Sequence, residues 1–114
     1  MSPLQSGTIV WADLGETVGR EQNGRRPCLV VSTPPHLGAI DTMVTIVPCT
    51  TRSRPWENHV LLDGATQLTE PTYAITEQIR TISLERIRAV RGIVTTECLA
   101  EVARWIRAWH VPAA

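Results

Sequence analysis

The sequence predicts a mainly β fold, a small barrel closed by one C-terminal α-helix. Three observations lead there. Short runs of β-branched and apolar residues recur along the chain with turn residues between them. Helical periodicity appears clearly only once, at the end. At 114 residues the chain can bury a single modest core but not a second lobe, so residues 1–114 are expected to form one domain.

The predicted strands are, in order, Thr8-Ile9-Val10-Trp11, Cys28-Leu29-Val30-Val31, Met43-Val44-Thr45-Ile46-Val47, His59-Val60-Leu61-Leu62, Ile79-Arg80-Thr81-Ile82 and Ile87-Arg88-Ala89-Val90. Breakers fall between them, at 15–24, Thr33-Pro34-Pro35, 52–58 and Asp63-Gly64, and none has the composition of an interdomain linker. Ser83-Leu84-Glu85-Arg86 fits a short helical turn capped by Ser83. The helix is expected to start with Thr95 as N-cap and Glu97 in its first turn, to run to about His110, and to end before Pro112. Leu99, Val102, Ala103, Ile106 and His110 form one stripe, and Cys98, Val102, Trp105 and Trp109 another beside it. A face that wide packs across one end of the barrel, or also serves a dimer or partner surface.

Composition narrows the chemistry. The formal net charge is zero, so any nucleic-acid partner has to be held by a local patch. All eleven positive charges are arginines; without lysine, P-loop, Schiff-base and lysine-base chemistry are excluded. Cys28, Cys49 and Cys98 lack C-x-x-C spacing and sit in apolar segments, as buried reduced thiols do, which points to the cytoplasm. Neither an export signal nor a run of about 18 apolar residues is visible, so no membrane span is expected. His36, Asp41, Cys49 and His59 are ligand types without metal-site spacing, so no metal is expected. His36 reads as loop, His59 as a strand edge and His110 as a helix-end residue. G-x-S-x-G and G-x-G-x-x-G are absent, and no cofactor is expected.

Two polar loops stand out. Gly19-Arg20-Glu21-Gln22-Asn23-Gly24-Arg25-Arg26-Pro27 places a carboxylate, amides and three guanidiniums at the mouth of a strand, and the fixed φ of Pro27 sets where Arg26 leaves it. Pro48-Cys49-Thr50-Thr51-Arg52-Ser53-Arg54 repeats that chemistry after another strand. If those strands pair antiparallel, Arg26 and Thr50 converge, and the loops form a groove for an extended anionic strand, with Trp56 available to stack on a base.

Gly7-Thr8-Ile9-Val10-Trp11-Ala12-Asp13-Leu14, Gly19-x-Glu21-Gln22-x-Gly24-x-Arg26-Pro27, Val47-Pro48-Cys49-Thr50-Thr51 and Glu77-Gln78-Ile79-Arg80-Thr81-Ile82 together resemble the MazF/PemK toxins, in order and over nearly the whole chain. The resemblance implies an SH3-like barrel, a homodimer, and a metal-independent endoribonuclease cutting single-stranded RNA at a short sequence. It also implies a small antitoxin whose disordered acidic tail fills the RNA groove. Carried over by position, Arg26 and Thr50 match the catalytic residues, and Glu21 matches an acidic residue implicated in some members. Gln22, Thr51, Arg52 and Gln78 match positions near the RNA, and Asn23, Ser53, Arg54 and Trp56 extend that surface. Arg20 stands where a small residue is usual and Arg25 where a neutral one is frequent, so the first loop is unusually basic.

The expected reaction is attack by the 2′-hydroxyl on the adjacent phosphate, giving a 2′,3′-cyclic phosphate and a 5′-hydroxyl. Arg26 and the Thr50 hydroxyl would stabilise the transition state. A guanidinium is a poor base at neutral pH, and Glu21 either takes the proton or pairs with an arginine to hold it. The rival reading is a non-enzymatic toxin of the CcdB type, a gyrase poison acting through its C-terminal helix, where Trp105 and Trp109 lie.

Overall fold

The computed structural model describes residues 4–16, 19 and 24–113. Its centre is an antiparallel sheet of β1 (Thr8–Asp13), β2 (Arg25–Val30) and β3 (Met43–Thr50), joined by β4 (His59–Leu61), β5 (Gly64–Ala65), β6 (Tyr73–Ile75), β7 (Arg80–Ser83) and β8 (Ile87–Val94). The strand order is β4-β6-β3-β2-β1-β8-β5, with β7 also paired to β3. β6 and β7 lie end to end along β3: Cys49 and Thr50 pair with Ala74 and Tyr73, and 43–46 pair with 80–83. A 3₁₀ turn at Thr76–Gln78 links them. The sheet curls into a half-barrel and carries a C-terminal helix, the expected mainly β class.

Alternation along the central strands feeds two cores. Ile9, Leu29, Val47 and Cys49 turn one way, toward Val60, Ala74, Val94, Cys98 and Val102. Val10, Cys28, Val30, Val44 and Ile46 turn the other way, toward Leu14 and Ile82. The register Ile9↔Leu29↔Val47 explains why whole rows share a face. With both faces covered, these strands read as continuous apolar runs, which is why they were legible.

All six predicted strands are present. Three features differ from expectation. Thr33-Pro34-Pro35 is the start of α1 (Pro34–Ala39) and no mere loop; Thr33 Oγ1 accepts from His36 N at 3.4 Å, and prolines fit the first helical positions, where no N–H is needed. His36 therefore lies in a helix. Gly64, expected in a turn, belongs to β5, which pairs with β8, and β6 was not anticipated at all.

α2 (Thr96–His110) follows its predicted bounds. Thr95 Oγ1 accepts from Cys98 N at 3.1 Å, Glu97 lies in the first turn, and Arg107 and His110 lie in the last. Cys98 and Val102 are buried, whereas Trp109 is 54% exposed and stacks on Trp105 at 6.2 Å. His110 Nε2 meets the Thr76 carbonyl at 2.9 Å, fastening the helix end to the 3₁₀ turn. The capped turn at Ser83 is also present, over Leu84–Arg86. Among the described residues no helix is long and apolar enough to cross a membrane.

Candidate active site

The β1–β2 hairpin aims the first arginines. Leu14 N donates to Gly24 O at 2.9 Å and Gly24 N to Gly15 O at 3.0 Å, and Gly24 has φ 70, a conformation that glycine adopts without a Cβ penalty. β2 then starts at Arg25. The β2–β3 register runs Cys28↔Pro48, Leu29↔Val47 and Val30↔Ile46, and Arg26, two residues before Cys28, borders the same clefts as Thr50, two residues after Pro48. The convergence expected from antiparallel pairing is therefore built into the sheet.

Thr50 is the last residue of β3, and its Oγ1 accepts from Arg52 N at 3.1 Å. That bond uses an oxygen lone pair, so the hydroxyl proton can be donated elsewhere. It also turns the chain so that Arg52, Arg54 and Trp56 line a cleft with Arg26, Thr50 and Gln78, about 800 Å³ in volume. The Arg54 guanidinium carbon sits 4.9 Å from the Trp56 ring centroid, and Trp56 is 41% exposed. A second cleft, about 550 Å³, holds Arg25, Arg26, Thr50 and Thr51. Arg26 and Thr50 border both clefts and so form the saddle between them. Ser53 is exposed and borders neither. Arg20, Glu21, Gln22 and Asn23 lie outside the described residues.

Glu77 and His59 were not anticipated as site residues. Both border the 800 Å³ cleft. Asn58 Nδ2 donates to Glu77 Oε1 at 2.6 Å, and His59 Nε2 lies 3.3 Å from Glu77 Oε2. Asn58 is itself fixed, because the Thr76 hydroxyl donates to its carbonyl at 2.7 Å. With Nε2–H directed at the carboxylate, His59 Nδ1 is an acceptor, and this buried atom has no hydrogen-bond partner among the described residues. The edge of the Trp56–His59 pair closes the packing at 4.9 Å. A signal for Glu77 was present: it directly precedes Gln78 in Glu77-Gln78-Ile79-Arg80, one of the stretches that carries the family resemblance. His59 read as an edge residue, and β4 is indeed at the sheet's edge, but its side chain turns inward. In the second cleft Trp11, Arg91 and the 67–72 segment were likewise missed.

Cys49 borders the smaller cleft but is no nucleophile. Burial pushes its thiol well above the ordinary range, and burial pushes Cys28 up to about 12 despite the opposing charges of Arg80 and Arg26. All three cysteines are free and buried. No group of three or more His, Cys, Asp or Glu side chains suited to a metal converges among the described residues.

A family model described as the PemK-like, MazF-like toxin of type II toxin–antitoxin systems matches residues 5–110. The chain belongs to this toxin family. The endoribonuclease toxin MazF of Escherichia coli K12 is 34% identical over 77 residues, which make up 68% of this chain and 66% of that protein, just under two thirds of its length. Among solved structures, Deinococcus radiodurans MazF superposes with a TM-score of 0.78 at 24% identity, covering 92% of this chain and 94% of that one. A mycobacterial endoribonuclease in complex with its cognate antitoxin gives 0.77 at 23% identity, covering 99% and 100%. These structural likenesses concern the fold, and they identify the curled sheet with its C-terminal helix as the MazF architecture.

Proposed function

We propose that this MazF-family toxin is an endoribonuclease that cleaves single-stranded RNA at a short sequence without a metal, acting in the cytoplasm as a homodimeric single-domain protein. The observation that carries the reading is the saddle of Arg26 and Thr50 between two arginine-lined clefts. A strand of RNA laid through both clefts would present one phosphate at the saddle. Its 2′-hydroxyl attacks the phosphorus in line, the P–O5′ bond breaks, the leaving 5′-oxygen takes a proton from solvent, and the products carry a 2′,3′-cyclic phosphate and a 5′-hydroxyl. The Arg26 guanidinium and the Thr50 O–H donate to the non-bridging oxygens, whose negative charge grows in the transition state. DNA lacks the attacking hydroxyl and is left intact.

The proton of the 2′-hydroxyl goes to a carboxylate. Glu77 shares the cleft with the saddle and is oriented by Asn58 and His59; Glu21, on the segment leading to Arg25, is the other candidate. Glu77→Gln and Glu21→Gln separate them, since only loss of the true base removes the rising limb of the pH–rate profile. The silencing partner is a cognate antitoxin whose disordered acidic tail lies in the same groove, meeting Arg25, Arg52 and Arg54. The mycobacterial endoribonuclease solved in complex with its cognate antitoxin and the family's place in toxin–antitoxin systems support this partner.

The gyrase-poison reading is not favoured: the curated relatives are endoribonucleases, and a poison acting through α2 has no use for arginines gathered around Thr50. The deciding experiment incubates the purified chain with labelled single-stranded RNA in EDTA. Fragments ending in cyclic phosphate are expected from the wild type, and none from folded Arg26→Ala or Thr50→Ala. Full activity in either variant would overturn the assignment.

A further inference from the structure

The smaller cleft has two chemically different walls. Arg25 and Arg26 come from β2, so one side offers guanidinium groups suited to phosphate oxygens, and Arg91 of β8 also borders the cleft. The other side is the segment between β5 and β6, which contributes Gln67, Thr69 and Glu70. A carboxylate repels phosphates, and Glu70 forms no ion pair with an arginine among the described residues. Its place in an RNA cleft therefore calls for a different partner.

This wall is preformed. Gly92, next to Arg91, lacks the Cβ that would lie 2.0 Å from Ala65 O and 2.5 Å from Thr66 C, and so the segment seats directly on β8. Leu68 N donates to Thr66 Oγ1 at 3.3 Å, Thr72 Oγ1 to Glu70 O at 3.0 Å, and Leu62 N to Thr72 O at 2.8 Å. Gln67 is the one non-glycine residue with positive φ, 59°, among the described residues. Glycine would take that conformation without strain, so a glutamine there trades backbone comfort for an amide side chain at the cleft.

We infer that the 66–72 segment reads a base next to the scissile phosphate, with Glu70 accepting from an exocyclic amino group, so that this toxin selects an amino-bearing base, adenine, cytosine or guanine, over uracil at one subsite. The inference rests on the endoribonuclease reading above. A carboxylate facing the Watson–Crick edge accepts from the N6 amine of adenine, the N4 amine of cytosine or the N2 amine and N1–H of guanine, whereas uracil offers a single N3–H flanked by two carbonyl oxygens that repel it. Gln67, with both a donor and an acceptor, completes the pattern. The arginines then grip any sequence, and discrimination resides in the opposite wall.

The test is cleavage of a randomised single-stranded RNA pool by wild type, Glu70→Gln and Gln67→Gly, with the cut ends sequenced and thermal melts confirming folding. Wild type is expected to require an amino-bearing base at one subsite. Glu70→Gln should reduce that preference about 5- to 150-fold there, the range of one good base contact, and leave the other subsites unchanged. Gln67→Gly should weaken the same subsite while raising the melting temperature. If wild type cuts RNA but shows no such preference, or the preference survives intact in both variants, the inference fails and the endoribonuclease reading stands. If wild type leaves RNA uncut, both fail.

Discussion

Replacing Thr50 by valine isolates one hydroxyl from everything else at the saddle. The side chains are close in shape, and valine keeps the strand pairing to Tyr73 and the approach to Arg26. In the folded protein the loss is the hydrogen bond from Arg52 N, whose residue is exposed, so water replaces the acceptor. Stability should fall by about 0.5–1.5 kcal/mol at most. In the transition state the loss is a donor aimed at developing charge, worth about 2.7–4 kcal/mol, or roughly 10²–10³ in rate. Single-turnover cleavage of a labelled RNA at saturating enzyme gives the chemical step directly, and urea unfolding gives the stability. Thr50→Ser restores the hydroxyl and should recover most of the rate. If Thr50→Val cleaves within a few-fold of wild type, the hydroxyl is not a transition-state donor and the saddle has been misread.

Glu77→Gln should lower the cleavage rate at least tenfold while the fold persists, because the amide presents an NH₂ to His59 Nε2–H and misaligns the pair; unaltered kinetics would remove Glu77 from the site. Alkaline pH should destabilise the protein through Cys28. Its folded thiol, pushed up to about 12, keeps its proton while the unfolded thiol ionises near the ordinary 9.0, so stability is full below that value and falls by about 1.4 kcal/mol per pH unit toward 12. Cys49 acts in the same direction. Urea midpoints between pH 8 and 10.5 should show this decline, and Cys28→Ala should flatten part of it; a wild-type midpoint independent of pH would contradict the burial argument. Val102→Ala, at a fully buried contact of α2 with the sheet, should cost about 2–4 kcal/mol by chemical denaturation, and a neutral effect would mean the helix is not part of the core.

The fold was legible because its central strands are covered on both faces. Residues 28–30 and Val44, Ile46 and Val47 are fully buried there, and such runs announce themselves. β5 and β6 did not, since two or three residues carry no period, and their pairing is decided by β8 and β3 rather than locally. α1 was hidden because Pro34 and Pro35 block a helix interior but suit its first turn. The site divides similarly. Arg26 and Thr50 could be joined by counting along two antiparallel strands. Asn58, His59 and Glu77 could not, because 18 residues separate His59 from its carboxylate and neither lies in a recognisable catalytic spacing. Gln67 and Glu70 looked like ordinary loop residues until the absence of a side chain at Gly92 brought their segment against β8.

Arg26 and Thr50 stand one step from the anchors of the molecule: Cys28 lies two residues along β2 and Cys49 one residue along β3, both with no exposed surface. Both are held by strand pairing beside that buried core, Arg26 opposite Ala12 and Thr50 opposite Tyr73, so their amides should exchange with solvent among the slowest in the protein. A machine of this kind has no slack state in which to idle. On the proposed reading, an antitoxin lying in the groove would silence this site by occupying it rather than by bending it, and no refolding would be needed once it leaves.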